Sequence, residues 1–413
     1  MAGLCAGITQ AQDLPKPLMP SDFRQYDSAQ VALGKLLFFD PLLSGNRNIS
    51  CATCHNPTFG TGDGLALGIG EGGIGAGQDR QFGTAKLLQS RNAPALWNLG
   101  ARQVRRLFHD GRVELKGGRY VTPAGGQLPA GLNSLLAAQA LFPLIARSEM
   151  AGGAEDNEIA EAAQDNAQKA WGLIAGRVED AARYKKLMPN VDVNISSIVN
   201  AIAAYVDVEF RAINTAFDLY LAGDPTALTD QARAGLELFY GPAGCSGCHS
   251  GSLLSDQRFH ALAVPQFGPG LTRRFDPIAR DVGRMAVTDD LADAYTFRTP
   301  FLRNVANTAP YGHNGAFATL REMLRHHSDP VGSFTSWTPD KVTLPELHNS
   351  ARYPFALIAD DIENTRILNA FGKSNAGAVL PMQLSETDIS KLVAFLKALS
   401  VPAVPLQQSG VTP

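Results

Sequence analysis

Two pentapeptides stand out by residue type and spacing: Cys51-Ala-Thr-Cys54-His55 and Cys245-Ser-Gly-Cys248-His249. Both read C-x-x-C-H, the pattern in which two thiols add to the vinyl groups of one porphyrin and the next imidazole sits beneath its iron. A zinc or redox cysteine pair needs no histidine directly after its second cysteine. Chance supplies one such pentapeptide in about a thousand chains of this composition and two in about a million. Two covalently bound haem c groups are therefore predicted, attached through Cys51, Cys54, Cys245 and Cys248. His55 and His249 are their proximal iron ligands. Four of the five cysteines are used in this way, so no structural disulfide is expected.

Covalent haem is attached outside the cytoplasm in bacteria, so an exported, periplasmic protein is predicted. Residues 1–12 (MAGLCAGITQAQ) read as a signal-peptide remnant, small and apolar, with no basic residue before Lys16. Cys5 is expected to leave with that leader, because Leu4 precedes it where a lipid-anchored cysteine follows a small residue. The 413 residues correspond to roughly two or three domains. Lys and Arg total 36 against 39 Asp and Glu, a net charge of -3 with no basic run, which excludes a phosphate-tracking nucleic-acid binder. No apolar stretch approaches the ~20 residues of a membrane span.

The elements that must position these motifs repeat in order. Gly34-Lys-Leu-Leu37-Phe38-Phe39-Asp-Pro41 before the first motif matches Gly235-Leu-Glu-Leu238-Phe239-Tyr240-Gly-Pro242 before the second. Apolar positions Ala32, Leu36 and Phe39, and likewise Ala232, Leu236 and Phe239, follow a helical stripe. Ser28 and Thr229 are the expected N-caps, and each proline ends its helix. Beyond each motif, Pro94-Ala-Leu96-Trp-Asn98 parallels Pro300-Phe-Leu302-Arg-Asn304, and His109-Asp-Gly111 parallels His313-Asn-Gly315. Each half closes with a long amphipathic helix, Ile195 to about Leu221 and Ser385 to Ser400; Ser385 and Asp388 form a capping box. No alternating strand pattern stands out. The predicted fold is all-α: two cytochrome c-like haem domains, 13–222 and 223–413, with long Gly/Pro-rich loops such as 60–83 and 121–131.

From Phe23 to about Pro402 the chain resembles the bacterial diheme cytochrome c peroxidase superfamily, including its MauG- and MbnH-like members. The resemblance is carried by the haem motifs, Arg91-Asn92-Ala-Pro94, Asp110-Gly111-Arg112, Gln139 with Pro143, Glu149-Met150, and Phe297-Arg298-Thr-Pro300 through Leu302-Arg303-Asn304 to Thr308-Ala-Pro310-Tyr311. It implies that the first haem reacts with peroxide and the second is a low-spin electron carrier. It makes Glu149 the distal acid/base, a role suited to a carboxylate whose pKa a partly apolar pocket raises. It also puts Gln139 and Pro143 in the same pocket, a Ca²⁺ on Asn92, Thr308 and Pro310, and haem propionates beside Arg298 and Arg303.

Three departures from the family pattern sharpen the expectation. The loop histidine that caps the first haem in classical members is Glu71 here, and no histidine occurs between His55 and His109. The first haem is therefore expected to be open without reductive activation, with Glu71 a solvated loop acid or an approach to the iron. The distal ligand of the second haem, Met in classical peroxidases and Tyr in MauG, falls on His327, with neighbouring His326 and Met323 as alternatives. A bis-His iron is low-spin, at a lower potential than His/Met. His109 occupies the position of the usual inter-haem tryptophan, while Trp97, Trp171 and Trp337 read as packing residues.

These features predict an oxidase of the MauG-like kind. It would use H2O2 to form a high-valent diheme state that oxidises a Trp or Tyr of a partner protein by long-range electron transfer. The alternative is a cytochrome c peroxidase that reduces H2O2 with electrons from a small cytochrome or cupredoxin. A pure electron carrier is disfavoured, because such a protein fills both axial positions of its haem.

Overall fold

The computed structural model describes residues 14–84, 87–187, 192–276, 278, 280–345, 360–375 and 383–401. Residues 1–12, expected as a signal-peptide remnant, lie outside the described residues, Cys5 among them. The first half contributes helices α1 (Ser28–Phe39), α2 (Cys51–Cys54), α3 (Leu135–Ile145), α4 (Glu158–Ala163), α5 (Ala167–Asp180), α6 (Ala182–Leu187) and α7 (Ile195–Glu209). There follow α8 (Ala216–Leu221), α9 (Asp230–Tyr240), α10 (Met285–Thr288), α11 (Leu320–Ser328), α12 (Pro330–Thr335), α13 (Asp361–Ser374) and α14 (Glu386–Ala398). None is long and apolar enough to cross a membrane.

The all-α expectation needs one amendment, since short antiparallel strands join the helices. β1 (Gly73–Ile74) pairs with β2 (Gln81–Phe82), and β3 (Arg106–Leu107), β4 (Val113–Lys116) and β5 (Arg119–Val121) form a meander. β6 (Phe259–His260) pairs with β7 (Phe297–Arg298), placing Phe259 opposite Arg298. Pieces this short are below the length at which alternation is readable.

The repeat is visible in how helices cross. A Cβ at Gly34 of α1 would lie 1.9 Å from the Ala201 carbonyl oxygen of α7, and one at Gly235 of α9 would lie 2.1 Å from that of Lys391 on α14. Only glycine permits these two contacts. Four residues on, Phe38 meets Tyr205 with ring centres 5.2 Å apart, and Phe239 meets Phe395 at 5.1 Å. On α9 the expected stripe is the buried one, and Thr229 caps the helix by accepting the Ala232 amide. On α1 it is not. Ala32, Leu36 and Phe39 face outward, while Gly34, Leu37 and Phe38 are buried, because the Gly34 crossing sets the rotation of the helix. Its N-cap is Asp27 rather than Ser28.

The helix expected from Ile195 to Leu221 ends at Glu209, and α8 restarts at Ala216. Asn98 holds the break: its amide donates to Phe210 O (2.8 Å) and its Oδ1 accepts from the Ala212 amide (2.8 Å). Asn304 repeats the contact by donating to Leu399 O at 3.0 Å, and both asparagines adopt positive φ, 58° and 64°. Asparagine tolerates that conformation better than most residues. Phe217 of α8 packs with Leu236, Phe239 and Phe395 in the second core, so the change of core lies between Ile213 and Ala216, ahead of the expected boundary at 222. A third cluster joins Ala66, Leu67, Ile69 and Leu88 from the first half to Phe267, Tyr311, Ala316 and Phe317 from the second.

Candidate haem centres

Both C-x-x-C-H motifs form one tight turn. The His55 amide donates to Cys51 O and the His249 amide to Cys245 O, each at 2.9 Å. His55 Nδ1 lies 3.0 Å from Thr61 O, and His249 Nδ1 lies 3.1 Å from Leu254 O. An Nδ1–H given to a carbonyl fixes the tautomer and leaves Nε2 as the metal-facing atom. Burial lowers the pKa of both rings, that of His249 to about 4, so each is a neutral imidazole, the form able to ligate a metal. Cys51, Cys54, Cys245 and Cys248 are not crosslinked. Burial pushes Cys51, Cys54 and Cys245 up to about 12, the reverse of what a redox-active C-x-x-C requires.

His327 faces His249 with ring centres 6.5 Å apart and planes inclined by 52°. Two imidazole–metal bonds of about 2 Å each, plus roughly 1 Å from each nitrogen to its ring centre, span about 6 Å. His327 Nδ1 is 2.8 Å from Met323 O, again leaving Nε2. His326 is fully buried and spends both nitrogens on protein, Nε2 at 2.7 Å from Leu262 O and Nδ1 at 3.1 Å from Ser333 Oγ. Met323 packs into the third apolar cluster.

On the distal side of the first motif, α3 carries Gln139 and Pro143 and runs into a single π-helical turn, Arg147–Ala151, that presents Glu149. Such turns recur at functional sites. Burial raises the Glu149 pKa, with Arg112 as the opposing charge. The Cys54 thiol senses both Glu149 and Asp63, which places these acids around the same space, and burial raises Asp63 to about 6. Glu71 does not turn into that space. Its Oε1 accepts from Asn46 Nδ2 and Asn48 Nδ2, both at 2.8 Å, and its amide donates to Glu149 O at 2.7 Å. Arg80, unremarked in the sequence, is buried and staples this loop through Ile69 O, Gly75 O and Gly70 O, each at 2.7 Å.

The halves meet at a second knot that the sequence did not reveal. Arg91 grips Asp281 with Nε (2.6 Å) and Nη2 (2.8 Å) and Asp110 with Nη1 (2.7 Å), all buried. His109 lies beside it, Nε2 3.2 Å from Asn92 O, and its carbonyl accepts the Arg298 amide at 2.7 Å. Burial, then Arg91, His313 and Arg298, lower its pKa to about 3, so it is neutral. The Asn92 amide donates to His313 O at 2.9 Å and its Nδ2 to Leu65 O at 2.8 Å; Pro310 abuts Gly315, which also meets Ala66. Thr308 Oγ1 turns to Val305 O. Arg298 donates to Phe108 O and Thr299 O, with no ion-paired carboxylate among the described residues, and burial lowers it to about 10. Arg303, fully buried, pairs with Asp218 at 2.7 Å, yet among the described residues its Nη2 has no partner, and neither has His313 Nε2. These under-paired donors suit acidic groups such as haem propionates.

Fold and site define the class, a mostly helical di-haem redox protein. The sequence profile of the di-haem cytochrome c peroxidase family matches residues 28–226. The cytochrome-c peroxidase IdrP2 of Pseudomonas sp. (strain SCT) is 30% identical over 86% of this chain and 87% of that protein. The methylamine utilization protein MauG of Methylorubrum extorquens is 29% identical over 79% and 75%. A solved structure, a MauG-like protein associated with microbial copper homeostasis, superposes with a TM-score of 0.57 at 24% identity, covering 94% and 93% of the two chains. The chain belongs to the di-haem cytochrome c peroxidase and MauG family. It is a haem-dependent oxidoreductase that acts on peroxide together with a protein electron donor or substrate.

Proposed function

We propose that this protein is a periplasmic di-haem c-type oxidase of the MauG-like kind, which spends peroxide to oxidise a Trp or Tyr side chain of a partner protein. The observation that carries the reading is Glu71. The residue in the place of the capping histidine is tied to Asn46 and Asn48, in a loop stapled by Arg80 and hydrogen-bonded to the Glu149 turn. A pinned loop without an imidazole leaves the first centre open with no prior reduction.

The haems, when bound, supply the iron redox chemistry that splits peroxide and holds its oxidising equivalents. Cys51 and Cys54 would attach the first and Cys245 and Cys248 the second. His55 would hold the first iron, and His249 with His327 would hold the second. The Glu149 carboxylate takes the proton from the near peroxide oxygen and returns it to the departing one, while Gln139 and Pro143 wall the pocket and limit water. Burial tunes Glu149 for this by bringing its pKa toward working pH. Arg298 and the Nη2 of Arg303 would hold propionates, and the two haem domains, expected as 13–222 and 223–413, would divide at the change of core between Ile213 and Ala216. Asn92, Thr308 and Pro310 would hold a Ca²⁺ that ties the halves together; a chelator is then expected to lower the melting temperature and added Ca²⁺ to restore it.

Electron paramagnetic resonance of the ferric protein, before and after H2O2, tests the reading. One high-spin and one bis-His low-spin signal, both consumed by peroxide without a reductant, are expected. Two low-spin haems at the start would overturn it. The second reading, a cytochrome c peroxidase, is favoured by the name of the IdrP2 relative. Sustained turnover with a reduced small cytochrome or cupredoxin would select it.

A further inference from the structure

We propose that Trp171 is a redox-active residue that carries an oxidising equivalent from the distal side of the first centre to the protein surface. The inference rests on the peroxide-reacting role proposed for the Glu149 pocket. The Trp171 indole, on α5, is 1% exposed, and its Nε1 donates to Leu141 O at 2.9 Å. Leu141 lies on α3 between Gln139 and Pro143, so the indole is hydrogen-bonded to the helix that walls the pocket.

An aromatic path reaches it from that pocket. The Arg112 guanidinium, the charge felt by Glu149, lies 3.5 Å over the Phe108 ring. Phe108 meets Phe142 at 6.5 Å between ring centres and 75°, and Phe142 meets Trp171 at 6.3 Å and 83°. Both contacts are edge-to-face, within the range of direct ring contact. The benzene rings are hard to oxidise and serve as bridges; the indole is the first readily oxidised group along the path. Beyond it, Trp171 floors a surface groove lined by Pro129, Gly172, Ala175, Gly176 and Ile195. Gly172 and Gly176 have nothing within 4 Å of where a Cβ would stand, so no side chain fills the groove at these two positions. Trp97 differs: it donates to Gly60 O on the proximal loop and packs on Phe210. Trp337 is stacked on Phe267 in the third cluster.

In the step proposed, one electron leaves the indole π system for the haem centre that peroxide has oxidised, which is reduced by one equivalent. The Nε1 proton stays in place, because its partner is a neutral carbonyl. The product is an indole radical cation, refilled by one electron from a reductant protein docked at the groove.

The test is freeze-quenched holoprotein mixed with H2O2 in the absence of a donor, grown with ring-deuterated or ordinary tryptophan. Haem absorbance and paramagnetic resonance are read on the same samples. An organic-radical signal that narrows on deuteration, is lost in W171F and persists in W97F and W337F is expected. Should W171F not fold, the labelled wild type together with W97F and W337F still assigns the residue. A signal insensitive to deuterium, or lost in W97F or W337F, overturns the inference, as does a full haem response with no tryptophan signal. No haem response to peroxide overturns the reading of the Glu149 pocket along with it.

Discussion

His249 and His327 face each other with ring centres 6.5 Å apart, and each turns its Nδ1 to a backbone carbonyl, Leu254 O five residues on and Met323 O four residues back. Both Nε2 atoms are thereby left for the one metal position proposed between the rings. His327→Ala is expected to convert the second haem from low-spin to high-spin, and His327→Met to keep it low-spin at a higher potential, since thioether favours Fe(II) more than imidazole does. Spectroelectrochemical titration reads both. His326→Leu should leave the spectrum alone but cost about 1–3 kcal/mol of stability, because Leu262 O and Ser333 Oγ lose their partner in the interior.

Glu149 must be ionised to accept a proton, and burial raises its pKa above the ordinary 4.5. The rate of the peroxide reaction is therefore expected to climb with pH through a value above that of a free glutamate. Glu149→Gln should lower the stopped-flow rate by about 10²–10⁴-fold and abolish that limb of the profile. The same shift makes Glu149 a destabilising group as pH rises. The native state binds the proton more tightly than the unfolded chain does, so stability declines from pH 4.5 up to the raised folded value.

The Arg91 knot is expected to hold the halves together. Asp281→Ala removes the bidentate partner and leaves a buried guanidinium half-paired, at a cost of about 3–5 kcal/mol in chemical denaturation. Burial alone would raise the pKa of Asp110, but Arg91 and Arg112 outweigh it and hold the carboxyl well below 3.8. Its contribution is thus complete above pH 3.8 and lost as pH falls through the depressed folded value. Asp110→Asn should flatten the acid limb of the stability curve.

Gly34→Ala and Gly235→Ala place a methyl 1.9 and 2.1 Å from backbone oxygens. Helices α1 and α9 must then move off α7 and α14, at a cost of about 1–3 kcal/mol or more for each variant. Gly172→Ala, in an open helical position, should instead gain about 0.4–1 kcal/mol. Thermal melts of the holoprotein distinguish the three.

Spacing along the chain was enough for the haem-binding turns and for the repeat. C-x-x-C-H is a single turn of backbone, so its geometry is contained in five residues. The paired phrases around Gly34 and Gly235, and around Asn98 and Asn304, make the repeat legible in the sequence alone. The rotation of α1 was not legible, because its apolar residues cover both faces and only the Gly34–Ala201 approach selects one. The strands were too short to alternate, and the break after Glu209 depends on Asn98, more than a hundred residues away. His326 and His327 are adjacent and chemically identical; only the distant Leu262 carbonyl and the facing His249 ring separate them. The same holds for Arg91 with Asp281, Arg80 with its loop, and Trp171 with Phe142. Residue identity and short spacing determine which groups exist and what local turn they form. Which groups meet is set by long-range packing, where a partner's burial and direction are properties of the whole fold.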